Sequence, residues 1–306
     1  MFVECACGAS NSVFNPICST CGAAIHEGVP HRPSSPSFIG PGAEIGGHKL
    51  ESAIGSGSLG RVFRALAPDG SPRALKILHP HLIGSEDARH RFVRETRALK
   101  AIEHPSFARL FDTFDYEGLP VLVLELVEGL SLRRILDDGG PLAPDEVRAI
   151  IRELASALAV LHGAGWIHRD LKPENVVLVA RAPHLRLKLL DFGLARSAAA
   201  AFDMKTKEGT FIGSLAYAAP EQIVGEEVGP AADLWALGAM AYELVTGTRP
   251  FDGARRLEIA RAILAADPAE LRIPDPTLAR VIRDLLVREQ SARPTTADLV
   301  QRLELD

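Results

Sequence analysis

The sequence predicts an α+β protein in which a β-rich lobe precedes an α-rich lobe, with a small metal-stabilised segment ahead of both. Three observations lead to this prediction. Short alternating apolar runs occupy residues 48–126, helical patterns dominate from about residue 130, and all four cysteines fall among the first twenty-one residues. We therefore expect a metal-binding segment at 1–25, a linker at 26–47 and a two-lobed domain at 48–304, with lobes at about 48–126 and 130–304 and a cleft between them.

The composition is that of a globular chain. Its 306 residues are 47% hydrophobic and 24% charged, which suffices for a buried core. The net charge of −5 gives no bulk attraction to nucleic acid or anionic lipid. No basic region precedes an apolar run at the start, and the longest apolar stretch, "LWALGAMAYELVTG", contains Glu243 and is too short to span a bilayer. We expect a cytoplasmic protein without a membrane or nucleic acid partner.

The cysteines are spaced C-x-C-x10-C-x2-C, at Cys5, Cys7, Cys18 and Cys21. In a reducing cytosol, clustered cysteines bind metal more often than they form disulfides. A glycine follows the second cysteine of each pair and lets the chain turn, so that backbone N–H groups can point at a thiolate. The segment resembles a short zinc ribbon, in which four thiolates hold structural Zn²⁺, although such ribbons usually show C-x-x-C at both ends. Redox-active or disulfide-paired thiols and a disordered tail are the alternatives.

The first lobe is predicted to be an antiparallel meander with one helix. The runs "KLESAIG", "RVFRALA" and "PRALKIL" have the pattern of strands, and "PDGS" makes a turn between the last two. Helical periodicity follows in "EDARHRFVRETRALKAI", and two further strands are expected around "FARLFDTFDYEG" and "PVLVLELVEG". The linker that precedes these elements is rich in Pro, Ser and Gly and shows no periodicity.

The second lobe is predicted to be helical. One stripe of "DEVRAIIRELASALAVLHGAG" is apolar, and "GAG" ends the helix. This stripe consists of Val147, Ile150, Ile151, Leu154, Leu158 and Leu161. A second segment, "ADLWALGAMAYELVTG", is apolar on nearly all sides, as a buried central helix would be.

The first candidate site is the glycine pattern "GSGSLGRV", with Gly55, Gly57 and Gly60. In a dinucleotide-binding fold this pattern opens a helix, whereas here it lies between two predicted strands. A glycine-rich hairpin lets backbone N–H groups lie over phosphates, because no side chain blocks the approach. A plain hairpin turn is the alternative for this motif taken alone.

Lys76 and Glu95 each occupy a position that the pattern predicts to be buried. In "RALKIL", Lys76 shares a strand face with Ala74 and Leu78. Glu95 falls inside the apolar stripe of the helix that follows. A buried charge is costly unless it is paired, so we expect these two side chains to form an ion pair. Taken singly, each residue would more often be a solvated surface charge.

The strongest pattern is "HRDLKPEN" at His168–Asn175, followed by "DFG" at Asp191–Gly193. "APE" at 219–221, "DLWALG" from Asp233 and the arginine of "SARPT", Arg293, come later in the chain. Together these motifs resemble the catalytic core of eukaryotic-type (Hanks-type) Ser/Thr protein kinases, in a bacterial-like style. The resemblance covers about residues 48–304 and implies the bilobal protein kinase fold.

The resemblance implies a role for each polar residue of these motifs. Lys76 would hold the α- and β-phosphates of ATP, and Glu95 would hold Lys76 in place. Asp170 would orient the substrate hydroxyl and accept its proton, while Lys172 would approach the γ-phosphate. Mg²⁺, or Mn²⁺ in its place, would be held by Asn175 and Asp191.

For adenine, the resemblance implies an apolar slot beside the segment "VLELVEG", which reads as the inter-lobe hinge, with Leu124 at the back pocket. The carbonyl of Glu125 and the amide of Val127 would contact the base. The complete ATP-binding set is Gly55, Ser56, Gly57, Gly60, Val62, Ala74, Lys76, Glu125, Val127 and Leu178. The apolar members of this set are also expected to belong to the core.

The segment between "DFG" and "APE" is predicted to regulate the enzyme. Arg169 precedes Asp170, which in this family often marks kinases whose segment is ordered by a phosphate paired with that arginine. Thr206, Thr210 and Ser214 are the candidate phosphorylation sites. The alternative is that the threonines are exposed loop residues without a regulatory role.

Two further residue sets are expected to stabilise the second lobe. Asp233 would brace the backbone of the catalytic loop, or else serve as a helix N-cap. Glu221 and Arg293 would form a buried ion pair.

The function that these features imply is ATP-dependent phosphorylation of protein serine and threonine hydroxyls, with autophosphorylation of the chain's own segment. The expected cofactors are ATP, Mg²⁺ and structural Zn²⁺, and the expected partners are protein substrates and a protein bound by the zinc ribbon. A pseudokinase scaffold and a small-molecule kinase of the aminoglycoside or choline type are the alternatives. The first would lack one of the catalytic residues, and the second would lack "APE".

Overall fold

A computed structural model of the chain describes residues 2–4, 10–12, 39–57, 59–180, 185–190 and 215–304. The chain divides into two compact units. The first unit comprises Met1–Leu99 and Arg109–Leu126, and the second comprises Lys100–Ala108 and Val127–Asp306. As predicted, strands dominate the first unit and helices dominate the second.

The strands are β1 (Phe2–Glu4), β2 (Ser10–Ser12), β3 (Glu44–Ile45), β4 (His48–Ser56), β5 (Gly60–Leu66), β6 (Pro72–Leu78), β7 (Leu110–Tyr116), β8 (Leu119–Glu125), β9 (Leu130–Ser131), β10 (Val176–Ala180) and β11 (Arg186–Leu189). The helices are α1 (Glu86–Ala101), α2 (Leu132–Gly139), α3 (Pro144–Gly163), α4 (Pro220–Val224), α5 (Ala231–Thr246), α6 (Arg256–Ala265), α7 (Pro276–Leu285) and α8 (Thr296–Glu304). Short 3₁₀ turns lie at Pro80–Leu82, Pro173–Asn175 and Gln290–Ala292.

The first unit is built on a six-stranded antiparallel sheet in the order β3-β4-β5-β6-β8-β7. The predicted meander is confirmed for β4, β5 and β6, and the helix α1 is confirmed as well. The last two strands depart from a meander, because β8 and not β7 pairs with β6. Buried side chains of the strands, such as Phe63, Leu75 and Leu122, form one apolar cluster with Phe92 of α1, and each of the four is at most 1% exposed. Removal of this apolar surface from water is the main force that holds helix and sheet together.

The predicted linker, residues 26–47, contains a short strand near its C-terminal end. Glu44 and Ile45 form β3, which pairs with β4, and the side chain of Ile45 is completely buried in the core of the first unit. The pattern gave no sign of this strand, because two residues are too few to show a period. The folded part of the first unit therefore begins before His48.

The second unit combines the antiparallel sheet β11-β10-β9 with helices. The apolar stripe of α3 is confirmed, since all six of its predicted residues are fully buried. The helix α5 is buried along nearly its whole length, also as predicted, and Trp235 at its start stacks on Phe251 at 5.3 Å between ring centroids. Across the part of the chain that the structure describes, no helix is long and apolar enough to cross a membrane.

Residues Lys100–Ala108 belong to the second unit, although the sequence assigned them to the first lobe. Three polar contacts hold them there. The carbonyl of Ser106 accepts from the amide of Leu189 at 2.6 Å, and its hydroxyl donates to Glu153 of α3 at 2.5 Å. The ammonium of Lys188 donates to the carbonyl of Phe107 at 3.1 Å. These partners are more than forty residues away in sequence, and local patterns carry no information about them.

Candidate active site

The glycine pattern forms the turn between β4 and β5, as its position between two predicted strands required. Gly60 is needed for packing, because a Cβ there would clash with the carbonyl oxygen of Ile77 on the neighbouring strand β6. Gly57 differs, since among the described residues no heavy atom lies within 4 Å of the position its Cβ would take. The motif therefore combines one glycine imposed by the sheet with one that leaves its surroundings open to a ligand.

Lys76 and Glu95 form the predicted ion pair. The Nζ of Lys76, on β6, lies 2.7 Å from the Oε1 of Glu95, on α1. Both residues are buried, with 8% and 2% of their surfaces exposed. A buried pair of this kind is held by charge-assisted hydrogen bonding that is stronger than at a surface, because little water screens it. The pair gives the first unit a fixed cation beside the glycine-rich loop.

The residues expected to contact adenine lie on both units. On the first unit, Val62 is half-buried, Ala74 is opposite Leu124 in the pairing of β6 with β8, and Glu125 ends β8. The amide of Glu125 donates to the carbonyl of Arg109 at 2.8 Å, which fixes this end of the strand.

On the second unit, Leu178 lies on β10 and is 6% exposed, and Val127 starts the segment that leads to β9. Gly129 in that segment is required by packing, because a Cβ there would clash with the carbonyl of Leu178 and approach Val177. The segment after Val127 is thereby held against β10.

The "HRDLKPEN" segment brings three of its polar side chains together in the second unit. The Nζ of Lys172 donates to Oδ2 of Asp170 at 2.7 Å. The Nδ2 of Asn175 donates to the backbone carbonyl of Asp170 at 2.8 Å and approaches its Oδ2 at 3.3 Å. The 3₁₀ turn Pro173–Asn175 makes this possible, since it folds the chain back onto Asp170. The amide of Leu190 then donates to the carbonyl of Asn175 at 2.7 Å.

Asp233 braces this segment, so the N-cap alternative is wrong. Its Oδ1 accepts from the amide of Arg169 and its Oδ2 from the amide of His168, both at 2.8 Å. The Nε2 of His162 lies 2.8 Å from the same Oδ2. These bonds hold Arg169 at a φ of 65°, a left-handed conformation that costs a non-glycine residue about 1–3 kcal/mol. The start of α5 thus fixes the backbone just before Asp170.

A second polar cluster was not predicted from the sequence. Arg133 of α2 donates to the hydroxyl of Tyr217 at 2.7 Å, to both oxygens of Glu243 at 3.0 Å, and to Glu174 at 3.1 Å. Tyr217 in turn donates to Glu243. Burial, and then the carboxylate of Glu243, raise the pKa of Tyr217 far above its usual range, so the phenol remains a donor. Arg133 therefore links the catalytic segment, through Glu174, to α5.

The predicted pair of Glu221 and Arg293 is also present. The guanidinium of Arg293 donates to the two carboxylate oxygens at 2.7 and 2.9 Å. The two side chains are 1% and 0% exposed. Arg293 donates as well to the carbonyls of Val287, Ala231 and Arg288, so its donors join α4 to the chain before α8.

Several predicted site residues lie outside the described residues. They are Asp191, the candidate phosphorylation sites Thr206, Thr210 and Ser214, and the four cysteines Cys5, Cys7, Cys18 and Cys21. Within the described ranges, no three His, Cys, Asp or Glu side chains are grouped so that they could hold a metal ion.

Comparison with known proteins gives one consistent result. The protein kinase domain family matches residues 48–303. The probable serine/threonine-protein kinase PkwA of Thermomonospora curvata is 34% identical over 277 residues, which cover 90% of this chain and 36% of the relative. Serine/threonine-protein kinase PkaA of Streptomyces coelicolor is 36% identical over 269 residues, covering 84% and 49%.

Serine/threonine-protein kinase PknL of Mycobacterium tuberculosis is 37% identical over 219 residues, covering 71% of this chain and 54% of the relative. The chain thus spans about a third to a half of the length of these relatives. The family match includes the Lys76–Glu95 pair, the segment around Asp170 and the Glu221–Arg293 pair. The chain therefore belongs to the protein kinase family.

Proposed function

We propose that the chain is an ATP-dependent serine/threonine protein kinase that acts in the cytoplasm and phosphorylates its own activation segment. The arrangement of Asp170, Lys172 and Asn175 carries this proposal. The Oδ2 of Asp170 accepts from the ammonium of Lys172 at 2.7 Å, which orients the carboxylate, as a proton acceptor for a substrate hydroxyl must be oriented. The serine/threonine class is supported by Lys172, which is typical of that class, and by the relatives named above.

The proposed mechanism uses positioning and charge neutralisation, because the transition state of phosphoryl transfer spreads negative charge over the phosphoryl oxygens. Lys76, fixed by Glu95, would hold the α- and β-phosphates under the amides of the glycine-rich loop. Lys172 would neutralise charge on the γ-phosphate while Asp170 accepts the hydroxyl proton. Val62, Ala74 and Leu178 would contact the adenine ring, and backbone groups of Glu125 and Val127 would hydrogen bond to it.

Asn175 and Asp191 would hold Mg²⁺, which supplies charge neutralisation between the phosphates when bound. The hydrogen bonding of Asn175 supports its proposed role as a Mg²⁺ ligand. Its Nδ2 donates to Asp170, so the side-chain oxygen is the atom left to face a cation. Asp191 directly follows Leu190 in the sequence, and the amide of Leu190 donates to the carbonyl of Asn175 at 2.7 Å.

We expect Lys76→Met to lower autophosphorylation by about 10²–10³-fold, the usual effect of removing one preorganised donor that stabilises negative charge in a transition state. Mass spectrometry after incubation with Mg·ATP measures phosphate at Thr206, Thr210 and Ser214 in the same experiment. Lys100→Met, at an exposed position of α1, is the matched control and should behave as the wild type. Because Lys76→Met leaves Glu95 buried without this partner, the double variant Lys76→Met/Glu95→Gln and thermal unfolding test whether a loss reflects misfolding.

The alternatives give different results in that experiment. A pseudokinase scaffold would show equal, background phosphate in wild type and Lys76→Met. A small-molecule kinase would consume ATP only when an aminoglycoside or choline is added, and it would leave its own hydroxyls unmodified. Retention of Lys76, Asp170 and Asn175, together with "APE" at 219–221, favours the protein kinase over both.

For the N-terminal segment we propose a zinc ribbon that binds a protein partner. The strands β1 and β2 pair antiparallel, with Phe2 opposite Ser12, and Cys5 and Cys7 fall in the sequence between them. A hairpin connection is where the first pair of thiolates of a ribbon belongs. A segment this short holds too little apolar surface to fold without metal.

We expect the purified chain to carry about one zinc ion per molecule, because a site of four thiolates binds one Zn²⁺. The double variant Cys18→Ser/Cys21→Ser should carry no zinc. Elemental analysis measures the metal. A wild type without zinc would favour redox-active or disulfide-paired thiols, or a disordered tail, over the zinc ribbon.

Deletion of residues 1–30 should leave autophosphorylation intact and change the choice of partner or substrate, because no kinase motif lies there. A kinase domain that fails to fold after this deletion would show that the segment is integral to it.

A further inference from the structure

His79 joins the glycine-rich loop to the strand that carries Lys76. It is the first residue after β6, three positions beyond Lys76. Its backbone amide donates to the carbonyl of Leu59 at 2.9 Å, and its imidazole Nε2 lies 2.9 Å from the carbonyl oxygen of Gly57. One residue therefore contacts the loop at two points, one of them through a side chain.

The chemistry of the contact fixes the direction of this hydrogen bond. A carbonyl oxygen can only accept, so Nε2 must carry a proton and donate. This proton is present in the imidazolium ion and in one of the two neutral tautomers. The ring of His79 also stacks on that of His81, with the centroids 5.2 Å apart and the planes at 23°, which restricts rotation of the imidazole away from Gly57.

The atom that His79 holds lies where the loop is least constrained by packing. The Cβ position of Gly57 has no neighbour within 4 Å among the described residues, whereas Gly60 is locked against Ile77. The amide of Gly57 donates to the carbonyl of Gly60 at 2.9 Å, which closes the turn. The bond from His79 is a contact that ties the Gly57 carbonyl to β6, and it fixes the orientation of that peptide group.

We infer that His79 is a positioning residue for phosphate binding. It would hold the glycine-rich loop at a set distance from Lys76, so that the loop amides and the Lys76 ammonium can bind the phosphates of one ATP molecule at the same time. The inference rests on the proposed function, because it concerns the ATP site of the kinase. It predicts an effect on the phosphates of the nucleotide and none on the adenine and ribose.

The test compares ATP with adenosine as ligands of the full chain. His79→Ala and His79→Phe both remove the donor, and the phenyl ring keeps an aromatic partner for His81. We expect both to weaken ATP binding about three- to tenfold, the factor for one lost hydrogen bond, with the affinity for adenosine unchanged. The KM for ATP in autophosphorylation should rise by the same factor, with little change in kcat. His79→Gln, which keeps an N–H donor, should restore most of the affinity.

His90→Ala is the matched control, since His90 is an exposed histidine on α1 of the same unit. An unchanged ratio of ATP to adenosine affinity in both donor-free variants would overturn the inference, and so would an equal loss for both ligands, which indicates a general structural role. Failure of His79→Gln to restore binding would also count against it. A wild type that binds no ATP would contradict the proposed function and this inference with it, so the two failures are distinguishable.

Discussion

Asp170→Asn is expected to lower the rate of autophosphorylation at saturating Mg·ATP by about 10²–10⁴-fold, the usual contribution of a general base. The amide has nearly the shape of the carboxylate, and its oxygen can still accept from Lys172, which now donates to Asp170 at 2.7 Å. The change therefore removes the proton acceptor and preserves the geometry. The bracing of His168 and Arg169 by Asp233 is untouched.

Single-turnover kinetics measure the effect of Asp170→Asn on the rate, and equilibrium binding of ATP measures its effect on affinity. The rate should fall while the affinity for ATP stays near that of the wild type, because Asp170 is outside the proposed ATP-binding set. Asp112→Asn is the control. Asp112 is exposed on β7, and its Oδ1 accepts from the amide of Thr113 at 2.7 Å, a role that the side-chain oxygen of asparagine can fill. A rate within a few-fold of wild type for Asp170→Asn would refute the proposed catalytic role.

Arg293→Met is expected to lower the free energy of unfolding by about 3–5 kcal/mol, the usual cost of breaking a buried ion pair by removing one partner. The carboxylate of Glu221 would stay 1% exposed and lose both of its bonds to the guanidinium, at 2.7 and 2.9 Å. Three backbone carbonyls would lose a donor as well. Most of this cost comes from the polar groups left without a partner, since a methionine can fill a similar volume.

Urea denaturation monitored by circular dichroism measures the change. Arg302→Met is the matched control, because Arg302 pairs with Asp284 at the surface, with side chains 45% and 38% exposed, and such pairs contribute at most about 1 kcal/mol. The double variant Glu221→Leu/Arg293→Met should recover part of the stability, because it buries no lone charge. If Arg293→Met lowered the free energy of unfolding no more than Arg302→Met does, the prediction that the buried pair stabilises the second unit would be contradicted.

The local elements of the fold were predictable from short apolar runs bounded by turn residues and, for α3, from an apolar stripe at helical spacing. The burial within the strands was less predictable, because β6 and β8 each contain five consecutive buried residues instead of an alternating pattern. Even the pairing of Lys76 with Glu95 was predictable, because two charges at positions expected to be buried need each other. The two-residue strand β3 and the assignment of Lys100–Ala108 to the second unit were not, since the first is too short to show a period and the second depends on distant partners.

Within the candidate site, too, residues in one local motif were predictable, and a cluster built from distant residues was not. The "HRDLKPEN" motif identified Asp170, Lys172 and Asn175 through its resemblance to the protein kinase family, since all three lie within one short motif. The cluster around Arg133 could not be found in this way. Its members Glu174, Tyr217 and Glu243 come from segments as far as 110 residues away, and each taken singly resembles an ordinary surface or core residue.

The sequence by itself determined the family, the elements and the residues for which a role could be proposed, because these depend on residue type and on spacing along the chain. Only the tertiary structure decided which distant groups meet. It showed that Gly60 is required by the backbone of β6, that Asp233 holds the amides before Asp170, and that His79 holds the carbonyl of Gly57. The physical reason is that a hydrophobic pattern specifies which side chains leave water, whereas hydrogen bonds and close backbone contacts depend on the three-dimensional position of both partners.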